Sequence, residues 1–210
     1  MRWVEKHKMP GSYNRKDHFY NKAKSQGFRS RAYFKLEELS AKYKLFRTGF
    51  KVLDLGAWPG GWLQFAGKAV GPKGLVLGLD LVEIEAFAES HIKTLRGDAC
   101  DPHVQQQAVA LAGAKFDVVL SDMSPKLSGV READSAAAVA LAEAALSACR
   151  FCLKEDGALV IKLFKGVGTE EFVRGARSSF KKLAREELEA SRKTSNEYYL
   201  VGRGFRISNV

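Results

Sequence analysis

Cysteine is scarce: the 210 residues contain three, Cys100, Cys149 and Cys152. An odd number, in a chain that opens Met-Arg-Trp-Val-Glu-Lys-His-Lys without an apolar leader, argues against a disulfide framework and for a reducing cytoplasm. Cys149-x-x-Cys152 has the spacing of a redox or metal half-site. No second pair or nearby His completes a set, and the pair lies in the alanine-rich run Ala136–Phe151, which reads as a buried helix. The four histidines, His7, His18, His91 and His103, show no ligand spacing either, so no metal is expected. Long apolar runs are also lacking. The uncharged stretches Ser135–Ala142 and Ala144–Cys149 fall short of the about 18 residues of a membrane span, and no membrane partner is expected. Neither Gly-x-Gly-x-x-Gly nor a Gly-Lys-Ser/Thr phosphate loop is present, which weighs against NAD and ATP.

Acid is scarce in the first quarter of the chain. Residues 1–51 carry 14 Lys and Arg against Glu5, Asp17, Glu37 and Glu38, a balance of +10, while the remainder carries 20 charges of each sign. The whole excess therefore belongs to one arm. Trp3, Tyr13, Phe19, Tyr20, Phe28, Tyr33 and Phe34 interleave with the charge. Cations for phosphates and rings for bases suit single-stranded or looped RNA; the plainer alternative is a solvated, solubilising segment. Residues 1–15 read as a polar, mobile lead-in, Asp17–Lys24 as a short helix, and Ser30 as the N-cap of a helix that stops at Gly49.

Beyond this arm the rhythm changes. Phe50–Leu55, Leu75–Leu79, Ile92–Leu95, Phe116–Ser121 and Ala158–Phe164 read as short apolar strands. Helical patterns fill the gaps near 61–70, 103–113, 133–153 and 169–181. Strands alternating with helices imply a parallel, doubly wound α/β sheet, and Lys182–Ala190 with Tyr198–Arg203 is expected to close it as a hairpin. The expected organisation is one domain over 1–210, with 1–49 as a basic RNA-binding arm and helix and 50–210 as the catalytic sheet.

The first strand runs into Asp54-Leu55-Gly56-Ala57-Trp58-Pro59-Gly60-Gly61-Trp62, a glycine-rich turn at the carboxyl end of a strand, where ligands of open α/β sheets sit. Asp80 ends the second strand and can accept hydrogen bonds from ribose hydroxyls. Asp98, after the third, can accept an adenine amino group. A nucleoside held by carboxylates without a phosphate cradle points to S-adenosylmethionine. Two further charges stand out: Lys162 interrupts an apolar strand and Asp122 ends another, positions that are costly unless the charges are paired or functional.

These segments, with Arg29-Ser30-Arg31-Ala32-Tyr33-Phe34-Lys35-Leu36, Ser121-Asp122-Met123-Ser124-Pro125, Val160-Ile161-Lys162-Leu163-Phe164 and Glu197-Tyr198-Tyr199, occur in the order and spacing of a known family. The sequence resembles the FtsJ/RrmJ family of S-adenosylmethionine-dependent RNA ribose 2′-O-methyltransferases, in particular the bacterial 23S ribosomal RNA enzymes. Trp58 stands where that family's turn usually has a small residue. The resemblance implies a Rossmann-like, seven-stranded, mostly parallel sheet with an antiparallel last strand, and a catalytic tetrad at Lys35, Asp122, Lys162 and Glu197. It implies cofactor contacts at Gly56, Gly60, Gly61, Trp62, Asp80, Asp98 and Asp122. Lys162 is expected to be the proton acceptor. Lys35 disfavours a charge on it, and Asp122 and Glu197 favour one. Taken alone, Lys35 reads as a snorkelling, phosphate-facing lysine.

RNA contacts are expected from Lys22, Lys24, Arg29 and Arg31. The expected partner is ribosomal RNA within the large subunit, reached by a cytoplasmic monomer. A tRNA or mRNA-cap ribose methyltransferase is the nearest alternative; a catalytically silent RNA-binding assembly factor and an NAD-dependent oxidoreductase are more distant ones.

Overall fold

The computed structural model describes residues 18–126, 128–191 and 195–207. The basic residues Arg2, Lys6, Lys8 and Arg15 of the lead-in lie outside these. In chain order the elements are α1 (His18–Ser25), α2 (Ala32–Tyr43), β1 (Lys51–Leu55), α3 (Gly61–Val70), β2 (Leu75–Asp80), β3 (Ile92–Arg96), α4 (Pro102–Ala112), β4 (Phe116–Ser121), α5 (Arg131–Cys152), β5 (Leu153–Phe164), α6 (Thr169–Ala176), β6 (Phe180–Glu186) and β7 (Glu197–Phe205).

The seven strands form one sheet in the order β3-β2-β1-β4-β5-β7-β6. Strands β1 to β5 are parallel, and β7 runs antiparallel to both β5 and β6. Strands β1, β2 and β4 are buried almost end to end, as expected for a sheet covered on both faces. One face packs Ala142, Ala145, Cys149, Cys152 and Phe172 of α5 and α6. The other packs Leu36, Leu39, Trp62, Leu63 and Ala66 of α2 and α3. Cutting a fully buried side chain such as Leu63 back to Ala costs about 2–5 kcal/mol in such a core. Helix α5 is, among the described residues, long and apolar enough by length and composition to cross a membrane. Its alanine and cysteine stripe is used against the sheet instead. Cys149 and Cys152 are part of that stripe, and burial pushes both thiols up, Cys152 to about 11.

Local chemistry sets several boundaries. Asp101 caps α4 by accepting from the His103 N–H at 2.8 Å, with Pro102 at the first helical position. Other boundaries differ from the sequence reading. Ser30 is not the side-chain cap of α2: the flanking residue is Arg31, with no side-chain capping bond, and the Ser30 side chain sits against Gly61 instead. The helix ends at Lys44 in the left-handed conformation, five residues before Gly49. Strand β5 begins at Leu153, because a register shift in its pairing with β4 accommodates the polar Lys154-Glu155-Asp156 stretch. Strand β6 covers 180–186 rather than 182–190. The Glu189 and Ala190 N–H groups donate to the Glu38 carboxylate and so tie this segment to α2.

This order creates the crevice. After β1 the chain goes to β2 and β3 on one side, then returns to β4 on the other, so the carboxyl ends of β1 and β4 flank the switch point where open α/β sheets bind ligands. Because β7 is antiparallel, its first residues arrive at this same end: Glu197 pairs with Phe164, and Tyr199 with Lys162.

Candidate active site

Four charged side chains converge at that end. Lys162, near the end of β5, places Nζ 3.0 Å from Asp122 Oδ1 and donates to the Asp122 carbonyl at 2.7 Å. Asp122 follows β4 directly. Lys35, one turn into α2, pairs with Glu197 at the start of β7. The Glu197 carboxylate also accepts from Ser191 Oγ at 2.6 Å. Between the two pairs stands Tyr199, whose hydroxyl accepts from Lys35 Nζ at 3.3 Å and donates to Asp122 Oδ1 at 3.2 Å. The result is one continuous chain of hydrogen bonds, Glu197–Lys35–Tyr199–Asp122–Lys162.

Lys35 is 5% exposed, so the snorkelling reading is corrected: its ammonium is buried and paired. Burial raises the Glu197 carboxyl, but the Lys35 ammonium and the hydrogen bonds from Lys35 and Ser191 outweigh it and hold the group below its usual value. Burial, together with the Asp122 and Glu197 carboxylates, drives the Tyr199 phenol well above its usual range, so it remains a donor at every working pH. Tyr199 takes its role from its register opposite Lys162. The strand's pattern does not set its hydroxyl apart from that of Tyr198 beside it.

Two cavities meet beside this network. The larger, about 380 Å³, is lined by Asp80, Asp98, Met123 and Leu141 among others. The smaller, about 210 Å³, is lined by Arg31, Lys35, Asp54 and Trp62. Gly56, Trp58 and Asp122 line both. Asp80 accepts the Trp58 N–H at 2.9 Å through Oδ2 and the Val82 N–H at 2.8 Å through Oδ1. Asp98 Oδ1 accepts the Cys100 N–H at 2.8 Å. A carboxylate has about four acceptor sites, so each retains capacity toward the cavity.

Gly56 has φ +74°, and a Cβ there would come within 2.6 Å of Met123 Cγ. Glycine is thus needed both for the turn and for the close approach of β1 to β4. Gly60, at φ +109°, opens α3. Together with Gly61 it faces the Arg29–Ser30 segment, and neither lines the larger cavity. Gly61 and Trp62 line the smaller one, and the Trp62 indole donates to the Ala32 carbonyl at 2.8 Å.

Asp54 belongs to the site as well. It is fully buried at the end of β1, lines the smaller cavity, and has no hydrogen-bond partner on either oxygen among the described residues. Burial, then Asp122 and Asp80, push its carboxyl well above the usual value. The reasoning that marked Lys162, a charge inside an apolar strand, applies equally to Asp54.

The expected RNA contacts separate. Lys24 is exposed, and Lys22 lies over the Phe34 ring at 4.4 Å. Arg31 lines the smaller cavity. Arg29 is engaged within the protein. Its guanidinium donates to the carbonyls of Glu85 (2.7 Å), Ala86 (2.9 Å) and Pro59 (3.4 Å), and stacks on Phe87 at 3.6 Å. With these donors committed to carbonyls, Arg29 ties the segment before α2 to the glycine-rich turn and to the loop after β2.

The model of the FtsJ-like methyltransferase family matches residues 28–205, which span every element from α2 to β7. The chain belongs to the FtsJ-like methyltransferase family. Its relatives include the ribosomal RNA large subunit methyltransferase E of Syntrophobacter fumaroxidans, 41% identical over 94% of this chain and 100% of that one. The protein of the same name from Methanothermobacter thermautotrophicus is 42% identical over 91% of each chain. Among solved structures, a Plasmodium falciparum protein described as a ribosomal RNA methyltransferase superposes with TM-score 0.76 at 22% identity, covering 85% of this chain and 98% of that one. Aeropyrum pernix fibrillarin, bound to S-adenosylmethionine, superposes with TM-score 0.52 at 14% identity, covering 74% and 67%. At those identities the two structures speak for the fold alone. As a family member the protein is a methyltransferase whose methyl donor is S-adenosylmethionine.

The larger cavity fits that donor. Asp80 and Asp98 suit ribose hydroxyls and an adenine amino group, and Leu79, Leu81, Met123 and Leu141 supply an apolar wall. From the adjoining smaller cavity, Asp54 offers an unmatched carboxyl group to a cationic group.

Proposed function

We propose that the enzyme methylates the 2′-oxygen of a ribose, a uridine's, in 23S RNA of the large ribosomal subunit. Support comes from one observation above all: the buried network Glu197–Lys35–Tyr199–Asp122–Lys162 borders the place where the two cavities meet. In this reading Asp80 and Asp98 hold the cofactor's ribose and adenine, and Asp54 faces its cationic end. When bound, S-adenosylmethionine supplies a methyl group already activated by its sulfonium.

The protein is then left with two tasks. The first is to position a hydroxyl, which the walls of the smaller cavity, Arg31 and Lys35 among them, do on the RNA side. The second is to handle the proton. In its neutral form Lys162 Nζ has a lone pair to take the proton that the 2′-hydroxyl sheds. Asp122, 3.0 Å away, orients the amine and stabilises the ammonium that forms. Tyr199 fixes the other side of Asp122, and the Lys35–Glu197 pair fixes Tyr199. The protein acts as a monomer in the cytoplasm, on ribosomal RNA of the large subunit.

The test is mass-spectrometric mapping of ribose methylation in total RNA from cells with and without the gene. Loss of one 2′-O-methyluridine in 23S RNA is expected. Loss confined to tRNA would reassign the substrate, and no loss would contradict ribose methylation.

A further inference from the structure

Two tryptophans lie among the described residues, and the structure treats them oppositely. Trp62 is 3% exposed, its N–H bonded to Ala32 and its ring 5.9 Å from Tyr199. Trp58 is 57% exposed, and among the described residues its ring has no aromatic, cationic or hydrogen-bonding partner. The backbone that carries it is well fixed. Its N–H donates to Asp80 at 2.9 Å, and the next carbonyl, that of Pro59, accepts from Arg29 at 3.4 Å. A large apolar ring left open on a pinned loop contributes little to folding.

Its location gives it another use. Trp58 lines both the cofactor cavity and the smaller one, whose other walls include the cations Arg31 and Lys35. An aromatic face next to cations is the combination that binds an unstacked base and its backbone.

Resting on the RNA methyltransferase reading above, we propose that Trp58 is a stacking platform for a nucleobase of the RNA, at or beside the nucleotide to be methylated. The occupant is a base rather than a protein side chain, because the same cavity is walled by the basic Arg31 and leads, through Asp122 and Lys35, to the network that handles a ribose hydroxyl. Stacking is sequence-tolerant, so the platform orders the strand without choosing the base.

The experiment compares wild type, W58A and W58F on unmethylated large-subunit ribosomal RNA from cells lacking the gene. It measures RNA Kd over a salt series, RNA KM, and S-adenosylmethionine Kd by calorimetry. W58A is expected to raise RNA Kd and KM by about 5- to 150-fold, the loss of one base stack. Its plot of log affinity against log salt should stay parallel to wild type, since no phosphate contact is lost. S-adenosylmethionine Kd should stay within about twofold, and W58F should recover most of the RNA affinity. A weakened cofactor Kd with unchanged RNA binding would overturn the proposal and make the ring a cofactor cover. Unchanged values for both would overturn it outright. A wild type that binds no RNA would overturn the functional reading, and the platform with it.

Discussion

Lys162 and Tyr199 are cross-strand partners in the β5–β7 pair, and both reach the same carboxylate: Nζ lies 3.0 Å and the phenol 3.2 Å from Asp122 Oδ1. The antiparallel last strand is what makes this possible. It delivers Glu197 and Tyr199 to the sheet end where the parallel strands finish. Tyr199→Phe deletes the hydroxyl that joins the two ion pairs and leaves both pairs in place. A hydrogen bond to a charged group contributes about 1.5–3 kcal/mol, so kcat should fall roughly 10- to 100-fold. S-adenosylmethionine affinity should stay near wild type in calorimetry. An unchanged kcat would mean that the pairs work independently.

Glu197 gives a pH signature. Its carboxyl is held below the usual 4.5, because the Lys35 ammonium and hydrogen bonds from Lys35 and Ser191 outweigh the opposing effect of burial. Such a group stabilises the fold fully above its unfolded value, and the contribution is lost as pH falls through the lower, folded value. Glu197→Gln should therefore melt lower than wild type at pH 7, and the gap should narrow below about pH 4.5. Melting curves at pH 3.5, 4.5 and 7 check this; a constant gap would exclude the linkage.

Asp54 has the opposite sign. Its folded value lies well above the usual 3.8, so the unfolded chain ionises first and stability declines as pH rises from about 4. Asp54→Asn removes that penalty. The variant without cofactor should melt higher than wild type at pH 8, with the difference shrinking toward pH 4, and S-adenosylmethionine affinity should fall. A variant that melts lower at pH 8 would show that the carboxylate is satisfied in solution.

Arg29 separates anchoring from RNA contact. Arg29→Ala removes three hydrogen bonds to carbonyls and a stack on Phe87. Destabilisation of about 1–3 kcal/mol is expected, with weaker cofactor binding because the Pro59–Gly60 turn loses its tether. The salt dependence of RNA affinity should keep its slope. Neutralising Lys24, by contrast, should flatten the slope by about 0.7–0.9 if it meets a phosphate. A flattened slope in Arg29→Ala with unaltered melting would return Arg29 to the RNA.

The sequence carries the sheet well because apolar runs such as Leu75–Leu79 and Val118–Leu120 are dictated by burial on both faces. Edges were harder to read. The start of β5 was hidden by Lys154-Glu155-Asp156, polar residues that look like a turn until their register with β4 is known. Ser30 has the chemistry of a cap, but docking against Gly61 decides its side chain, a contact 31 residues away that no local pattern reports. The charged positions of the site are legible for a simple reason: Lys162 and Asp122 are expensive where they stand unless matched. Counting charge cannot go further. It does not tell an arginine that meets a phosphate from one that, like Arg29, meets carbonyls. Nor does it mark Tyr199, whose importance comes from its register opposite Lys162.

The central claim is that Lys162 takes the proton of the ribose hydroxyl. Single-turnover methyl transfer to unmethylated large-subunit ribosomal RNA, with enzyme in excess, compares wild type and Lys162→Ala most directly. A positioned base contributes about 10²–10⁴-fold, so the rate should fall by that much. S-adenosylmethionine affinity should change less than about threefold, and the melting curve should confirm a folded variant. A rate within about threefold of wild type would contradict the account and leave Lys162 as the structural counter-ion of Asp122.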